Sequence, residues 1–175
     1  MTVVKTVVDI GHDGMMGTRI FSAEILIVFL SKSFGYALRG ILYVAAVRAE
    51  KHKVQTEEIA EQLSVPRHFL GKVMQKVVKA EILQSTKGPY GGFSVTKITL
   101  HVTLMNLVEI TDGVEHFNIC ALQLRNCSEQ HPCPLHIQMD SIKKKLIKVL
   151  SETTIEELLS DDKKNFIDSL SIPGR

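Results

Sequence analysis

Long apolar runs are absent from the sequence. Near the N-terminus the longest one is residues 25–30, far shorter than the roughly 20 residues that a membrane-spanning helix needs. Residues 1–24 contain Asp9, Asp13 and Glu24 and lack the layout of a signal peptide. We therefore expect a cytoplasmic protein with no membrane partner.

The sequence also lacks the motifs of common nucleotide-dependent enzymes. No glycine-rich nucleotide-binding motif follows a predicted strand, and no acid–base pair stands in a segment that would form a cleft. We therefore expect that the protein is not an enzyme and has no small-molecule substrate. A redox or electron-transfer protein is the remote alternative.

Charge of either sign is nearly balanced, but it is unevenly distributed. The 175 residues carry a formal net charge of +2. Between residues 66 and 97 the only acid is Glu81, whereas the basic residues are Arg67, Lys72, Lys76, Lys79, Lys87 and Lys97. This block carries +5, and the rest of the chain therefore −3. Such a block is typical of a phosphate-binding face, and a solvated helix face is the alternative.

The first predicted helix runs from about residue 33 to residue 49. Ser33 is a good N-cap residue for it. Apolar residues at three- and four-residue steps predict one buried stripe. The members of this stripe are Phe34, Leu38, Ile41, Leu42, Ala45 and Ala46.

Two further helices with a tight break between them indicate a helix-turn-helix. Thr56 is the candidate N-cap of a helix over residues 57–63, whose first turn carries acids as the helix dipole favours. Residues 64–65 form the break, and Pro66 suits the first position of a helix that runs to about Ala80. The residues predicted to face inward are Phe69, Leu70, Val73, Met74 and Val77.

A glycine-rich turn between two short alternating segments follows these helices. Residues 82–85 and 93–95 alternate as strands do. The turn Lys87-Gly88-Pro89-Tyr90-Gly91-Gly92 permits positive φ and close approach to a partner backbone. A β-hairpin after a helix-turn-helix is a winged helix, so the predicted fold is mainly α with a small β-hairpin wing. A simple hairpin turn is the alternative for this loop.

The basic outer face of the second helix of this motif suits the major groove of double-stranded DNA. Lys87 at the wing tip could reach phosphate or the minor groove. The residues predicted to contact DNA are Thr56, Arg67, His68, Lys72, Lys76, Lys87, Gly88 and Tyr90. A winged helix that makes only protein contacts is the alternative.

All three cysteines lie within one short segment. They are Cys120, Cys127 and Cys133, and His136 follows the last one after two residues. Three cysteines cannot all pair within one chain, and their clustering favours metal or redox chemistry over disulfides. Thiolates are the usual ligands of iron–sulfur clusters.

Two other chemistries remain open for this segment. Zinc also binds three cysteines and a histidine, although gaps of six and five residues fit a zinc site poorly. A thiol switch would operate through a sulfenic acid or a disulfide. His116 and His131 are alternative ligands.

The segment after Pro134 predicts a long amphipathic helix. Its apolar residues follow steps of four, three, four and three, as in a heptad seam: Leu135, Met139, Ile142, Leu146 and Val149. A second subunit is an economical partner for this face, and a plain amphipathic helix is the alternative. Thr153 with Glu156 predicts a capping box for a last short helix over residues 155–159.

The predicted organisation has five parts. Residues 1–31 form an N-terminal extension that we expect to be flexible, residues 32–115 a winged helix-turn-helix DNA-binding domain, and residues 116–134 a cysteine-containing sensor loop. Residues 135–160 form the dimerisation helix and the short capping helix, and residues 161–175 a polar tail that we expect to be loose.

Taken together, these motifs resemble the Rrf-two family of bacterial winged-helix transcription regulators, the group that includes IscR and NsrR. The resemblance covers about residues 32–160. The residues that carry it are Tyr36-Ala37-Leu38-Arg39, Glu58-Ile59-Ala60-Glu61, Val65-Pro66 with Phe69-Leu70, Lys87-Gly88-Pro89-Tyr90-Gly91-Gly92-Phe93, Ile98-Thr99-Leu100, the three cysteines with His136, and Thr154-Ile155-Glu156-Glu157-Leu158.

The resemblance implies a homodimeric transcriptional regulator, by family habit a repressor, that binds a palindromic operator. It implies that Cys120, Cys127 and Cys133 hold an iron–sulfur cluster that controls operator affinity, with His136 completing a 2Fe–2S site. The alternative is a regulator of the same fold that has no cluster. It would switch by cysteine oxidation, a small ligand or a partner protein.

The sequence departs from the family pattern at two points. Some members take an acidic fourth ligand from the first helix, but this chain has Phe34, Gly35 and Tyr36 there. The first cysteine gap has six residues, where the best-known members have five. The first departure removes the acidic ligand, and the second concerns how Cys120 reaches the other two thiols.

Overall fold

The computed structural model describes residues 30–120, 122, 124–159 and 163–171. The predicted flexible extension lies outside these residues except for its last two. Leu30 is buried in the core, and Ser31 caps the first helix. The last two residues of the predicted extension therefore belong to the folded body.

Six α-helices and one hairpin make up the described part of the chain. The helices are α1 Lys32–Ala46, α2 Thr56–Gln62, α3 Arg67–Lys79, α4 Leu104–Thr111, α5 His136–Glu152 and α6 Lys163–Leu170. Strands β1 Leu83–Thr86 and β2 Gly92–Val95 pair antiparallel. Short 3-10 turns lie at Thr99–His101, Val114–Asn118 and Glu156–Leu158. Among the described residues, no helix has the length and apolar composition that crossing a membrane requires.

The N-cap of α1 is Ser31, so the prediction of Ser33 is wrong. The Ser31 hydroxyl accepts from the backbone N–H of Phe34 at 3.2 Å. The carboxylate of Asp112 in turn accepts from the Ser31 backbone N–H at 2.9 Å and from its hydroxyl. Ser33 lies inside the first turn, where its side chain cannot act as the cap. The cap also joins the start of α1 to the residue that follows α4.

The helix-turn-helix formed by α2 and α3 differs from its prediction in detail. Thr56 is the first helical residue of α2, and its N-cap, Gln55, makes no side-chain capping bond, so the prediction of Thr56 as a cap is wrong. Pro66 directly precedes α3 as its N-cap. Ser64 in the turn has φ 53°, a left-handed conformation.

Phe69 is 38% exposed, so its predicted inward orientation is wrong. The buried stripe of α3 begins one residue later, and its members are Leu70, Val73, Met74 and Val77. One residue corresponds to about 100° around an α-helix, which turns Phe69 away from the core. Its ring instead meets that of Tyr36 edge to face, with centroids 5.4 Å apart.

The core lies around α1, which packs against α3, α4 and α6. Gly40 lets α3 approach α1 closely. A Cβ at Gly40 would lie 2.7 Å from the sulfur of Met74 and 3.6 Å from a methyl group of Leu70. Both side chains are fully buried. Helix α3 is therefore packed directly on α1, the central helix of the core.

The wing is fixed to the start of α2. In the hairpin Leu83 lies opposite Val95, and Thr86 lies opposite Gly92. Val54 adds a short bridge, since it exchanges backbone hydrogen bonds of 2.9 and 2.8 Å with Phe93. The Gln55 amide donates to the carbonyl oxygen of Pro89 at 2.8 Å. These contacts make the wing and the helix-turn-helix one unit.

Residues 104–153 begin and end at one place on the fold, where the chain forms a short backbone bridge. Thr103 and Thr154 form an antiparallel bridge. The N–H of Leu104 donates to the carbonyl oxygen of Thr153 at 2.9 Å, and the N–H of Ile155 donates to that of Val102 at 3.0 Å. This stretch of chain contains α4, the cysteine segment and α5.

Reciprocal capping occurs on both sides of this bridge. Thr103 caps α4 through a capping box with Asn106. The second box is one residue later than predicted, since Thr154 and Glu157 exchange hydrogen bonds of 2.9 and 3.3 Å. It opens a single 3-10 turn rather than an α-helix.

The prediction of a loose polar tail is wrong for Lys163–Leu170, which forms α6. Leu170 is buried, Phe166 and Ile167 are half-buried, and the helix packs against α1. A guanidinium N–H of Arg39 donates to the carbonyl oxygen of Leu170 at 3.5 Å. Residues 166, 167 and 170 share one helical face, which supplies the apolar contact despite the polar composition around them.

Candidate cysteine centre and nucleic-acid interface

The three cysteines converge although the outer two are 13 positions apart in the sequence. Their sulfur atoms all lie within 4.8 Å of one another, and those of Cys120 and Cys133 are 3.8 Å apart. Cys120 follows the turn Val114–Asn118, and Cys133 precedes α5. All three are free thiols, each half-buried. The predicted ligand residues therefore form one thiol cluster.

His136 contacts this thiol cluster through one member. It is the first residue of α5, and its Nδ1 lies 3.2 Å from the sulfur of Cys127. It is not part of the group of ligand atoms that all lie within 4.8 Å of one another. Neither is the alternative ligand His131, which is exposed, while the side chain of His116 lies outside the described part of the chain.

Local hydrogen bonds fold the segment that carries the thiols. The backbone N–H of Cys127 donates to the carbonyl oxygen of Leu124 at 3.4 Å, and that of His136 donates to Cys133 at 2.9 Å. Ser128 accepts from the N–H of His131 at 3.2 Å. The ammonium of Lys143 on α5 donates to the carbonyl oxygen of Ile119, next to Cys120. This hydrogen bond fixes the backbone of the residue before Cys120 to α5.

The thiols differ in acidity. The backbone N–H of Leu124 donates to the sulfur of Cys120 and lowers its pKa to about 7, although burial opposes this. For Cys127 the N–H of Cys133 has the same effect, but burial and the neighbouring thiols outweigh it and raise the pKa. Cys120 is therefore the thiol that loses its proton more readily of the two.

The donor set fits a metal ion or a cluster bound through thiolates. Ligand sulfurs about 2.3 Å from a tetrahedral metal lie about 3.8 Å from each other. The observed 3.8 Å between Cys120 and Cys133 matches that separation. Three thiols at this spacing would repel one another once ionised, and a cation removes that repulsion. Coordination is therefore chemically reasonable for the thiol cluster.

The predicted DNA-contacting residues lie on α3, at the start of α2 and on the wing. Most of them are exposed, and Tyr90 at the wing tip is 92% exposed. The structure brings one subset together in an open cleft between these elements. Its predicted members are Thr56, Arg67, Lys87 and Gly88.

Lys76, another of the predicted DNA-contacting residues, makes a contact away from this cleft. Its ammonium lies 3.5 Å from the carbonyl oxygen of Thr111, the last residue of α4. A cation there is favourable because carbonyl groups at a helix C-terminus carry partial negative charge. Lys76 therefore joins the recognition helix to the segment that leads to the cysteines.

Glu57 is a cleft residue that the sequence did not predict. Its carboxylate pairs with the guanidinium of Arg67, across the turn between α2 and α3. Acidic residues in a first helical turn have an ordinary explanation in the helix dipole. The sequence feature that could have indicated this pair is an acidic residue in the first turn of one helix and a basic residue ten positions later, at the start of the next.

Comparison with known proteins agrees with this architecture. The Rrf2 family, described as an iron-dependent transcriptional regulator, matches residues 30–161. A protein of Aquifex aeolicus (strain VF5) named as an HTH-type transcriptional regulator is 33% identical over 140 residues, which cover 79% of this chain and 96% of that protein.

Two solved structures have the same fold. CymR, the global cysteine regulator of B. subtilis, gives a TM-score of 0.59 at 19% identity and covers 74% of this chain and 94% of its own. IscR of T. potens gives a TM-score of 0.59 at 18% identity, with 78% and 89% covered. A winged helix with a basic recognition helix thus agrees with a family match over most of the sequence. The chain belongs to the Rrf2 family of transcriptional regulators.

Proposed function

We propose that the chain is a homodimeric repressor whose affinity for a palindromic operator depends on an iron–sulfur cluster. The observation that carries the proposal is the convergence of Cys120, Cys127 and Cys133 between the winged helix and α5. Thiolates are the usual ligands of such clusters. A regulator of this kind acts in the cytoplasm, where bacterial DNA is found.

DNA binding is proposed for the outer face of α3 and for the wing. His68 and Lys72 are exposed on α3, and Lys87, Gly88 and Tyr90 are exposed on the wing. The glycine turn brings backbone close to a partner, and the lysines neutralise phosphates. Arg67 and Thr56 at the cleft complete the proposed contact surface.

The proposed cluster ligands are the three thiolates, with His136 as fourth ligand and 2Fe–2S as the expected type. When bound, the cluster would supply a group that responds to oxidants and to iron supply. The chain itself prepares the site. Cys120, with its pKa lowered to about 7, is ready to bind as thiolate, and Lys143 holds the backbone at Ile119.

A route from the thiol cluster to the recognition helix supports regulation. Thr111 and Asp112 end α4 and lead into the cysteine segment. Lys76 of α3 contacts the Thr111 carbonyl, and Asp112 holds Ser31 at the start of α1. Ordering of the segment by a bound cluster would act on these contacts and bias the position of α3.

Dimerisation is proposed through α5 and the cysteine segment. Ile137 is 75% exposed and Ile142 is 44% exposed, whereas Leu146 and Leu150 are buried within the chain. Further exposed apolar residues belong to the same part of the sequence, namely Ile119, Leu122, Leu124 and Leu135. A second copy would cover this surface and set the separation of the two recognition helices.

The test is a DNA-binding titration with and without the cluster. Protein purified without oxygen should absorb visible light and contain iron and sulfide, and DNA selected from a random duplex pool should bind with different affinity after cluster removal. C133S should remove the absorption, whereas S128A, beside Cys127, should retain it. Equal affinity in both states would contradict the switch, and colourless protein that cannot be reconstituted would contradict the cluster.

A thiol switch without a cluster is the second candidate, and the 3.8 Å between Cys120 and Cys133 favours it. A peroxide could oxidise these two thiols to a disulfide, with two protons and two electrons reducing the peroxide to water or an alcohol. The sulfurs would then close to about 2.05 Å. Iron-free protein that loses two hydrogen masses with peroxide and changes its DNA affinity would favour this candidate. Zinc bound in place of iron would assign the thiols a structural role.

A further inference from the structure

An acidic side chain faces the proposed DNA surface. Glu57 on α2 is 45% exposed and pairs with Arg67, the first residue of α3, which is 67% exposed. Ion pairs this exposed contribute little to stability, because water screens the attraction and ordering two long side chains costs entropy. Stability alone therefore gives a weak reason for this pair.

The pair lies where DNA would approach. Glu57 and Arg67 line the same cleft as Lys87 and Gly88 of the wing. The cleft is held together next to Glu57, since Gln55 donates to the carbonyl oxygen of Pro89 and Val54 is bridged to the wing. The carboxylate is thus carried on a fixed part of the fold.

A carboxylate at this position opposes binding to DNA in general. The phosphate oxygens of DNA repel the carboxylate. Because the carboxylate also attracts Arg67, the guanidinium is less available to neutralise a phosphate of the DNA backbone. Base edges in the major groove present hydrogen-bond donors as well as acceptors, whereas phosphate oxygens only accept. The guanidinium fork donates to O6 and N7 of guanine, and a glutamate accepts from the N4 amino group of cytosine. The two side chains therefore match guanine and cytosine.

We propose that Glu57 is a specificity-determining residue, which presents Arg67 to guanine and itself accepts from a neighbouring cytosine amino group. The ion pair orients the fork of Arg67 before DNA arrives. Sequences without guanine and cytosine at this position leave the carboxylate unpaired by the DNA and are rejected. This inference depends on the proposed binding to operator DNA.

The test compares the full-length protein with E57Q and R67K, each purified in the same metal state. Each protein is used to select duplexes from a random double-stranded pool. Affinity is then measured for the duplex selected by the unsubstituted protein, for versions changed at single positions, and for a random-sequence duplex over a range of salt concentrations. E61Q is the matched control, because Glu61 is exposed on the same helix and does not line the cleft.

The unsubstituted protein is expected to select a guanine–cytosine base pair at one position of each half-site. In E57Q the preference there should fall by about tenfold, because an uncharged amide no longer orients the fork of Arg67 for its bidentate contact with guanine. Affinity for the random duplex should rise, and the slope of log K against log salt should steepen by about one as Arg67 becomes free for phosphate. R67K should lose preference at the same position without this rise, because lysine lacks the fork.

Unchanged preference and unchanged affinity for the random duplex in E57Q, as in E61Q, would overturn the proposal. So would weaker binding of E57Q to every duplex at an unaltered thermal midpoint, since Glu57 would then support binding in general. If the unsubstituted protein selects no sequence, the proposed operator-binding function fails as well. The first two outcomes leave that function intact.

Discussion

Among the described residues, two residues other than glycine have positive φ, and one lies on each side of the recognition helix α3. Ser64 precedes α3 with φ 53°, and Glu81 follows it with φ 61°. A side chain in the left-handed region costs roughly 1–2 kcal/mol because its Cβ crowds the backbone. The tight break at residues 64–65 was predictable, but a serine carries no sign of positive φ. Its conformation belongs to the C-cap of α2, in which the backbone N–H of Val65 donates to the carbonyl oxygen of Ala60 at 3.0 Å.

Substitution S64G should therefore stabilise the protein by about 0.5–1 kcal/mol. Glycine removes the left-handed strain, although its greater freedom in the unfolded chain offsets part of the gain. The measurement is the urea unfolding midpoint at unchanged slope. S33G inside the first turn of α1 is the control and should destabilise the protein, since its conformation is helical. A lower midpoint for S64G would contradict this account of the turn.

The acidity of single thiols gives a prediction for the metal-free protein. Because the pKa of Cys120 is lowered to about 7 while that of Cys127 is raised, iodoacetamide at pH 7 should modify Cys120 faster. Below its pKa, the thiolate fraction of Cys120 falls about tenfold per pH unit, and the rate should fall with it. Mass spectrometry of the modified peptides measures both rates. Faster labelling of Cys127 would contradict the hydrogen-bonding pattern assigned to Leu124 and Cys133.

At the scale of elements, the helix-turn-helix and the wing were largely predictable and their contacts were not. The basic helix and glycine turn gave α3 and the hairpin to within a few residues. The bridge from Val54 to Phe93 joins segments far apart in the sequence, and neither segment carries a local sign of it. The same holds for the contact of α6 with α1, since the surface on α1 lies more than 100 residues earlier in the sequence.

Substitution G92A tests the join between wing and helix-turn-helix. Gly92 has φ 145°, and a Cβ there would lie 2.5 Å from the carbonyl oxygen of Val54. We expect a loss of about 2 kcal/mol in unfolding free energy, from strain and from a broken bridge. Hydrogen exchange of the Phe93 amide, which donates to Val54, should accelerate more than that of the α1 amides.

Gly35 provides the control for this substitution. It lies in α1, and among the described residues nothing beyond its chain neighbours and its own helix backbone lies within 4 Å of its would-be Cβ. G35A should therefore leave the wing unchanged and stabilise the helix by up to about 1 kcal/mol. Equal effects of G35A and G92A on the Phe93 amide would show that the contact with Val54 is unimportant.

At the scale of the whole molecule, burial along α5 divides the helix in two. Its C-terminal half is packed on the body through Leu146 and Leu150, and its N-terminal half leaves Ile137 and Ile142 exposed beside the cysteine segment. The heptad spacing predicted an apolar face, but it could not indicate which part the chain itself covers. The family resemblance implied that the three thiols act together, and their separations required the structure.

Substitution I142K should shift the proposed dimer towards monomer. Burial of an isoleucine side chain is worth roughly 1.5–3 kcal/mol, so the dissociation constant should rise by about tenfold to a hundredfold. Sedimentation velocity over a concentration series measures it. S151K adds the same charge at an exposed position near the end of α5 and should have little effect. An unchanged mass distribution for I142K would place the interface elsewhere.

The bridge between Thr103 and Thr154 has a consequence for how such proteins diversify. Residues 104–153 begin and end at this bridge, and between its two ends α4 packs on α1 and α3 while the cysteine segment joins α4 to α5. The entropic cost of closing a loop depends only weakly on its length, so the cysteine segment tolerates added residues without moving α4 and α5 on either side. The longer first cysteine gap is one such addition, absorbed before Cys127. A segment with different sensing chemistry could be grafted between α4 and α5, and the same DNA-binding body would then answer to another signal.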